Sequence, residues 1–155
     1  MSTPSQNTET VRRYYEDAVA DGQIDLLDDL VAADVVNHDP LSDDTLTPAE
    51  ARGFEGFRRH VQVFQKAFPN GRFDIHDIVA EDDRVVVHFT MHGTHEGRFA
   101  GIDPSGNHVE IPSMVRYRVD EDGKLAERWQ VTDDLSFLQQ LDLLPDTDEL
   151  LAKPA

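Results

Sequence analysis

The hydrophobic period changes once along this chain, and that change limits the folds open to it. Before Pro69-Asn70-Gly71, apolar side chains recur at helical steps; after it they alternate at every second residue. Helices first and a run of strands afterwards argue for an α+β architecture and against a doubly wound α/β sheet. The 155 residues fit one domain with one core.

The helical half is read from spacing. Residues 1–7 are polar and read as a disordered arm, followed by a single domain over 8–144 and an acidic tail over 145–155. Thr8 or Thr10 is predicted to cap a helix running to about Asp21, with Val11, Tyr14, Tyr15, Ala18 and Val19 on its apolar face. A second helix is expected from Ile24 to Ala33. Val35-Val36-Asn37-His38 reads as a short extended piece closed by Asp39-Pro40, and Leu41–Ala51 as an acidic loop or lid whose Ser42-Asp43-Asp44 repels anions. Phe54, Phe57, Val61, Phe64 and Phe68 mark the clearest helix, and the same aromatic stripe can wall a pocket.

The second half reads as an antiparallel meander packed on one face by the helices. Strands are expected over Arg72–Ala80, bent near the middle, then Arg84–His95, His108–Val119 and Lys124–Asp133, with a final helix from Leu135 to Leu144. Val85, Val87, Phe89 and Met91 share one face of their strand, and Val109, Ile111, Ser113, Val115, Tyr117 and Val119 one face of the next.

Charge and motif content exclude several classes. The net charge is −17, from 31 acidic and 14 basic residues, and such a surface repels nucleic-acid phosphates and anionic lipids. No run approaches the roughly 20 apolar residues of a membrane span, and the first residues lack the pattern of a secretory signal, so the chain reads as cytoplasmic. There is no cysteine, no P-loop or dinucleotide fingerprint and no nucleophile elbow. A metal site at His88, His92 and His95 is not expected. His88 and His92 share a face but stand roughly 13 Å apart along a strand, and His95 has the opposite parity.

Two candidate sites remain. Asp133 shares parity with Trp129 and Val131 if the last strand is regular. Beside an indole its carboxyl would be pushed from about 4 toward neutrality, which suits a general acid or base. The competing local role is to cap the helix beginning near Leu135. Arg128, between Glu127 and Trp129, is expected to alter the rim or to face solvent. Asn37-His38-Asp39-Pro40 is the second candidate, where a histidine at a strand end can bond a ligand or a backbone group.

These residues also carry a resemblance. Asn37-His38-Asp39-Pro40, Gly53-Phe54-Glu55-Gly56-Phe57 and Ala67-Phe68-Pro69-Asn70 are followed by Ile78 to Val87, Gly93-Thr94-His95-Glu96-Gly97-Arg98-Phe99, Asp122-Gly123-Lys124-Leu125 and Glu127-Arg128-Trp129 to Asp133. In that order they resemble the SnoaL-like polyketide cyclase, or ester cyclase, family of the nuclear transport factor 2-like superfamily, over roughly residues 10 to 142. The resemblance implies a cone-shaped curved antiparallel sheet wrapped around the N-terminal helices, an apolar cavity and a homodimer. It implies aldol-type ring closure of a small polycarbonyl or apolar substrate, with no metal and no organic cofactor. Asp133 falls on the acid/base position and His38 and His95 on positions near the cavity, with Trp129, Asn37, Phe57, Phe64, Phe89 and Met91 expected around the substrate. The alternatives are a non-catalytic small-molecule-binding or structural dimer of the same fold, and a cofactor-free hydrolase, such as one opening epoxides, which needs a second carboxylate and an arginine converging on the cavity.

Dispersed acidity with only Lys66, Lys124 and Lys153 as lysines resembles proteins adapted to high salt, because dense carboxylates repel one another until screened. Thermal unfolding followed by circular dichroism is therefore expected to give a higher midpoint in molar salt than in dilute buffer; an unchanged midpoint refutes the adaptation.

Overall fold

A computed structural model describes residues 1–39, 47 and 49–152. Most of the expected acidic loop or lid, including Ser42-Asp43-Asp44, lies outside the described residues. The first helix, α1 (Pro4–Arg13), starts at least five residues earlier than the spacing predicts. Thr3 caps it: its Oγ1 accepts from Gln6 N at 3.2 Å, and Gln6 Oε1 accepts from Thr3 N at 2.8 Å, the reciprocal pair of a capping box. Asn7 is 1 % exposed and donates through Nδ2 to Asp82 O at 3.3 Å. Residues 1–7 are thus not a disordered arm; they are tied to a turn 75 positions away, a contact that local polarity does not reveal.

The helix continues as wider, π-type turns over Tyr14–Ala20, and Gln65 Nε2 donates to the carbonyls of Ala18 and Val19 at 3.2 and 3.1 Å. A 3-10 turn, Ile24–Leu26, leads into α2 (Leu27–Leu30). The expected second helix stops there, because Val31, Ala32 and Ala33 belong to β1 (Val31–Asn37). The helix α3 (Gly53–Ala67) buries Phe57 and Val61 as its stripe predicts.

The strands are β2 (Arg72–Glu81), β3 (Arg84–Thr94), β4 (His108–Val119) and β5 (Leu125–Thr132), followed by α4 (Asp134–Gln140) and α5 (Thr147–Ala152). They form one curved, unclosed sheet in the order β1-β5-β4-β3-β2, wrapped around the N-terminal helices. The meander is antiparallel as expected, while β1 joins β5 in parallel, at the far edge from β2. The bend in β2 is a bulge at His76: Ile75 pairs with Phe89 and Asp77 with His88. Along β3 and β4 the predicted alternation holds, with Val85, Val87, Phe89 and Met91 buried beside Val109, Ile111, Val115 and Tyr117.

The last strand departs from it. Arg118 pairs with Glu127 and Val119 with Leu125, so β5 carries one extra residue, Ala126, against β4. A bulge moves every later side chain to the other face. Leu125 points inward, and after Ala126 the inward set is Arg128, Gln130 and Thr132; Val131 is 76 % exposed. Among the described residues no helix is long and apolar enough to cross a membrane.

The loop after β3 locks the end of α3, with Glu96 N and Gly97 N both donating to Ala67 O at 2.8 and 3.2 Å. A Cβ on Gly97 would lie 2.4 Å from Lys66 O, a backbone atom that cannot swing aside. Gly97→Ala is expected to destabilise the fold by about 1–3 kcal/mol in urea unfolding.

Candidate active site

Between α3, the N-terminal helix, the sheet and α4 lies a cavity of about 440 Å³. Its walls are largely aromatic. Phe64 comes from α3 and Phe68 from the cap at its end, Phe73 from β2, Phe89 and Met91 from β3, and Phe137 from α4. The bulge at Ala126 places a polar strip along one wall, made of Arg128, Gln130 and Thr132 from β5 with Ser113 from β4. Asp39 also lines the cavity, as does Asp134 at the start of α4.

The strip is internally bonded. Arg128 Nη1 donates to Asn37 Oδ1 at 3.1 Å and Nη2 donates to Gln130 Oε1. Gln130 Nε2 donates to Thr132 Oγ1 at 2.6 Å, and Thr132 Oγ1 lies 3.0 Å from Ser113 Oγ. Gln130 N donates to Asp39 Oδ2 at 2.7 Å, which fixes that carboxylate beside the strip.

Arg128 is 4 % exposed, and its Nε has no hydrogen-bond partner. Its partners are neutral, the amides of Asn37 and Gln130 and the Tyr117 hydroxyl, and among the described residues no carboxylate lies within 4 Å of it. A buried, unpaired ion costs on the order of several kcal/mol, and arginine does not escape by losing its proton. Around it the phenols and the His60 imidazole are held neutral. Burial raises the phenols of Tyr14 and Tyr15 well above their ordinary value and raises that of Tyr117, and Tyr15 Oη lies 2.7 Å from Tyr117 Oη. Burial, helped by the Arg128 charge, lowers His60 to about 3.

The residues expected at the site are dispersed. Phe64, Phe89 and Met91 line the cavity. Phe57 is 1 % exposed and packs on Tyr14 in the core. Asn37 stands behind Arg128 as its hydrogen-bond acceptor. Trp129 faces away from the cavity, because of the bulge, and stacks on His38 with centroids 4.8 Å apart and Arg116 over its ring at 4.1 Å. On that outer face His38 Nε2 bonds Glu127 Oε1 at 2.8 Å, and Arg118 Nε donates to Glu127 Oε2 at 3.1 Å. His95 is fully buried, not in the cavity wall but 5.6 Å from the Phe68 ring, with Nδ1 accepting from Ser105 N at 3.2 Å.

Asp133 is likewise outside. It is exposed, and its Oδ1 accepts from Ser136 N at 3.0 Å as the N-cap of α4. The structure therefore does not bring Asp133, His38 and His95 together. Arg128, expected at the rim or in solvent, is instead the cavity's buried charge. His92 lies on the outer face between Asp74 (2.7 Å) and Glu110 (3.3 Å), and His92, His108 and Glu110 could together hold a metal, but on the far side of the sheet from the cavity.

The sequence matches the profile of the SnoaL-like polyketide cyclases over residues 9–141. The chain belongs to that family. Among solved structures it is similar to IdmH, a polyketide cyclase candidate from Streptomyces antibioticus, with 31% identity over 88% of this chain and 99% of that one and a TM-score of 0.72. TsrD from Streptomyces laurentii shares the fold at 21% identity, covering 93% of this chain and 100% of that one, with a TM-score of 0.79. AclR from Streptomyces galilaeus, a hydroxylase candidate, shares it at 24% identity over 96% and 88%, with a TM-score of 0.74. No curated protein matches the chain. Within this SnoaL-like fold, Arg128, Gln130, Thr132 and Asp39 are the polar groups that spacing did not single out; the run Leu125-Ala126, two apolar residues in a row at a strand start, is the one local sign of a shifted register.

Burial also lowers His95 below its ordinary value. With His60 and His95 both depressed in the fold, the unfolded chain binds more protons below about pH 6.5, so stability falls as pH drops. Urea unfolding is expected to show a loss of up to ~1.4 kcal/mol per pH unit for each imidazole from about pH 6.5 to 5, above the range where carboxylates titrate. His60→Gln is expected to flatten that slope.

Proposed function

We propose that this SnoaL-like protein closes a ring in a small, largely apolar polycarbonyl substrate by carbon-acid chemistry, with Asp39 as the acid/base. The observation that supports this reading is a carboxylate fixed beside a polar strip in an otherwise aromatic cavity of about 440 Å³. A cavity of that size folds a flexible chain into a near-attack shape, which replaces lost entropy at the moment of reaction. A carbon between two carbonyls is acidic enough for a carboxylate to take its proton. The enolate carbon then attacks a second carbonyl, and the new alkoxide recovers a proton. Tyr14 and Tyr15, kept protonated by burial, line the same cavity, and their hydroxyls suit donation to carbonyl oxygens as charge develops.

The resemblance put this role on Asp133. As a helix cap pointing away from the cavity, Asp133 is here assigned to stability. One observation favours the hydrolytic alternative: Asp39, Asp134 and Arg128 line one cavity. Labelled water separates the readings, since hydrolysis places the isotope in the product's new hydroxyl and ring closure does not. Exposed Val79, Met114 and Val131 on the outer face of the sheet support the homodimer implied by the family.

With an identified polycarbonyl substrate, Asp39→Asn is expected to lower kcat by about a hundred- to ten-thousand-fold. Asp133→Asn is expected to change kcat less than about threefold and to keep the cap, while Asp133→Ala is expected to cost about 1 kcal/mol of stability. A large kcat loss confined to Asp133→Asn overturns the assignment to Asp39, and activity retained in both variants overturns carboxylate catalysis.

A further inference from the structure

We infer that Arg128 is the receptor for a permanent anionic group, a carboxylate carried by the substrate, and that the cavity selects free acids over their esters and amides. The inference rests on the cavity being the substrate site, as proposed above, but not on the reaction performed there.

The argument is one of charge placement. The chain has 31 acidic residues, yet none of the described carboxylates pairs with its buried guanidinium. Glu127, the neighbour in sequence, is turned to the outer face and held by His38 and Arg118. Asp39 lines the cavity, but its Oδ2 is engaged by the backbone N–H of Gln130. Asn37 and Gln130 present their amide oxygens to Nη1 and Nη2, which orients the guanidinium without neutralising it. Nε, buried and unpartnered, remains as a donor on a cavity-lining side chain. Tyr14, Tyr15 and His60 share the cavity and supply no negative charge.

A carboxylate satisfies both deficits at once, the missing counter-charge and the orphaned N–H, and the planar guanidinium fork matches it. The net charge of −17 opposes an anion at long range, but salt screens that repulsion beyond about 8 Å and leaves a contact inside the cavity largely intact.

The test uses naphthalene-2-carboxylate, its methyl ester and its primary amide as unreactive probes, with calorimetry on the wild-type protein. The acid is expected to bind at least about tenfold more tightly than either neutral probe. Arg128→Gln is expected to abolish that preference and Arg128→Lys to keep part of it. If Arg128→Gln does not fold, the Arg128 Nε–H resonance of the wild type is the second readout; the acid is expected to shift it and the amide to leave it. An acid that fails to bind, or binds no better than the amide, overturns the inference. Loss of ring closure in every assay alongside a retained acid preference refutes the proposed reaction and not this site.

Discussion

β5 carries one residue more than β4 allows, at Ala126, and the chemistry of the molecule follows from that excess. A strand presents alternate side chains to opposite faces, so a single inserted residue exchanges the two sets completely. Here the exchange sends Trp129 and Val131 outward and turns Arg128, Gln130 and Thr132 toward the helices. A regular strand would have walled the cavity with an indole and an aliphatic group and left the guanidinium in water.

Each face then solves a different problem. On the outer face charges meet partners in or near solvent: Glu127 holds both His38 and Arg118, and Trp129 lies between His38 and Arg116. Hydrogen bonding from His38 first, then Arg118, keeps the Glu127 carboxyl below its ordinary range. On the inner face the groups satisfy one another sideways, from Asn37 through Arg128 and Gln130 to Thr132 and Ser113. Such a chain holds its members in fixed rotamers because each loss strands a neighbour in low dielectric. The unfilled donor at Arg128 Nε stands out against that continuity.

Much of the fold was legible in the sequence because it rests on local repetition. The stripe of α3 and the alternation of β3 and β4 bury apolar residues on one face only, so spacing and burial agree. The site was legible only in part. Phe64, Phe89 and Met91 follow the same rule and do line the cavity. The polar strip does not, because the outer face of β5 is the more apolar one and spacing alone cannot reveal a bulge. Asp133 had two local roles available, and the N–H of Ser136, three residues on, settled its side chain as a cap. The anchoring of Asn7 at Asp82 and the parallel pairing of β1 with β5 join segments far apart in sequence, where periodicity carries no information.

The neutral state of the phenols and of His60 has a consequence for how ligand preference can change. Arg128 is the dominant fixed positive source of the electric field on that wall, with Asp39 the nearby negative pole along the Gln130 bridge. A dipole made of two side chains gives a substrate one orientation in which its acid end and its reacting carbon are both favoured. Selection could therefore redirect the cavity toward neutral or reversed substrates by exchanging one residue at the end of that dipole, leaving the sheet, the helices and the aromatic walls as they are.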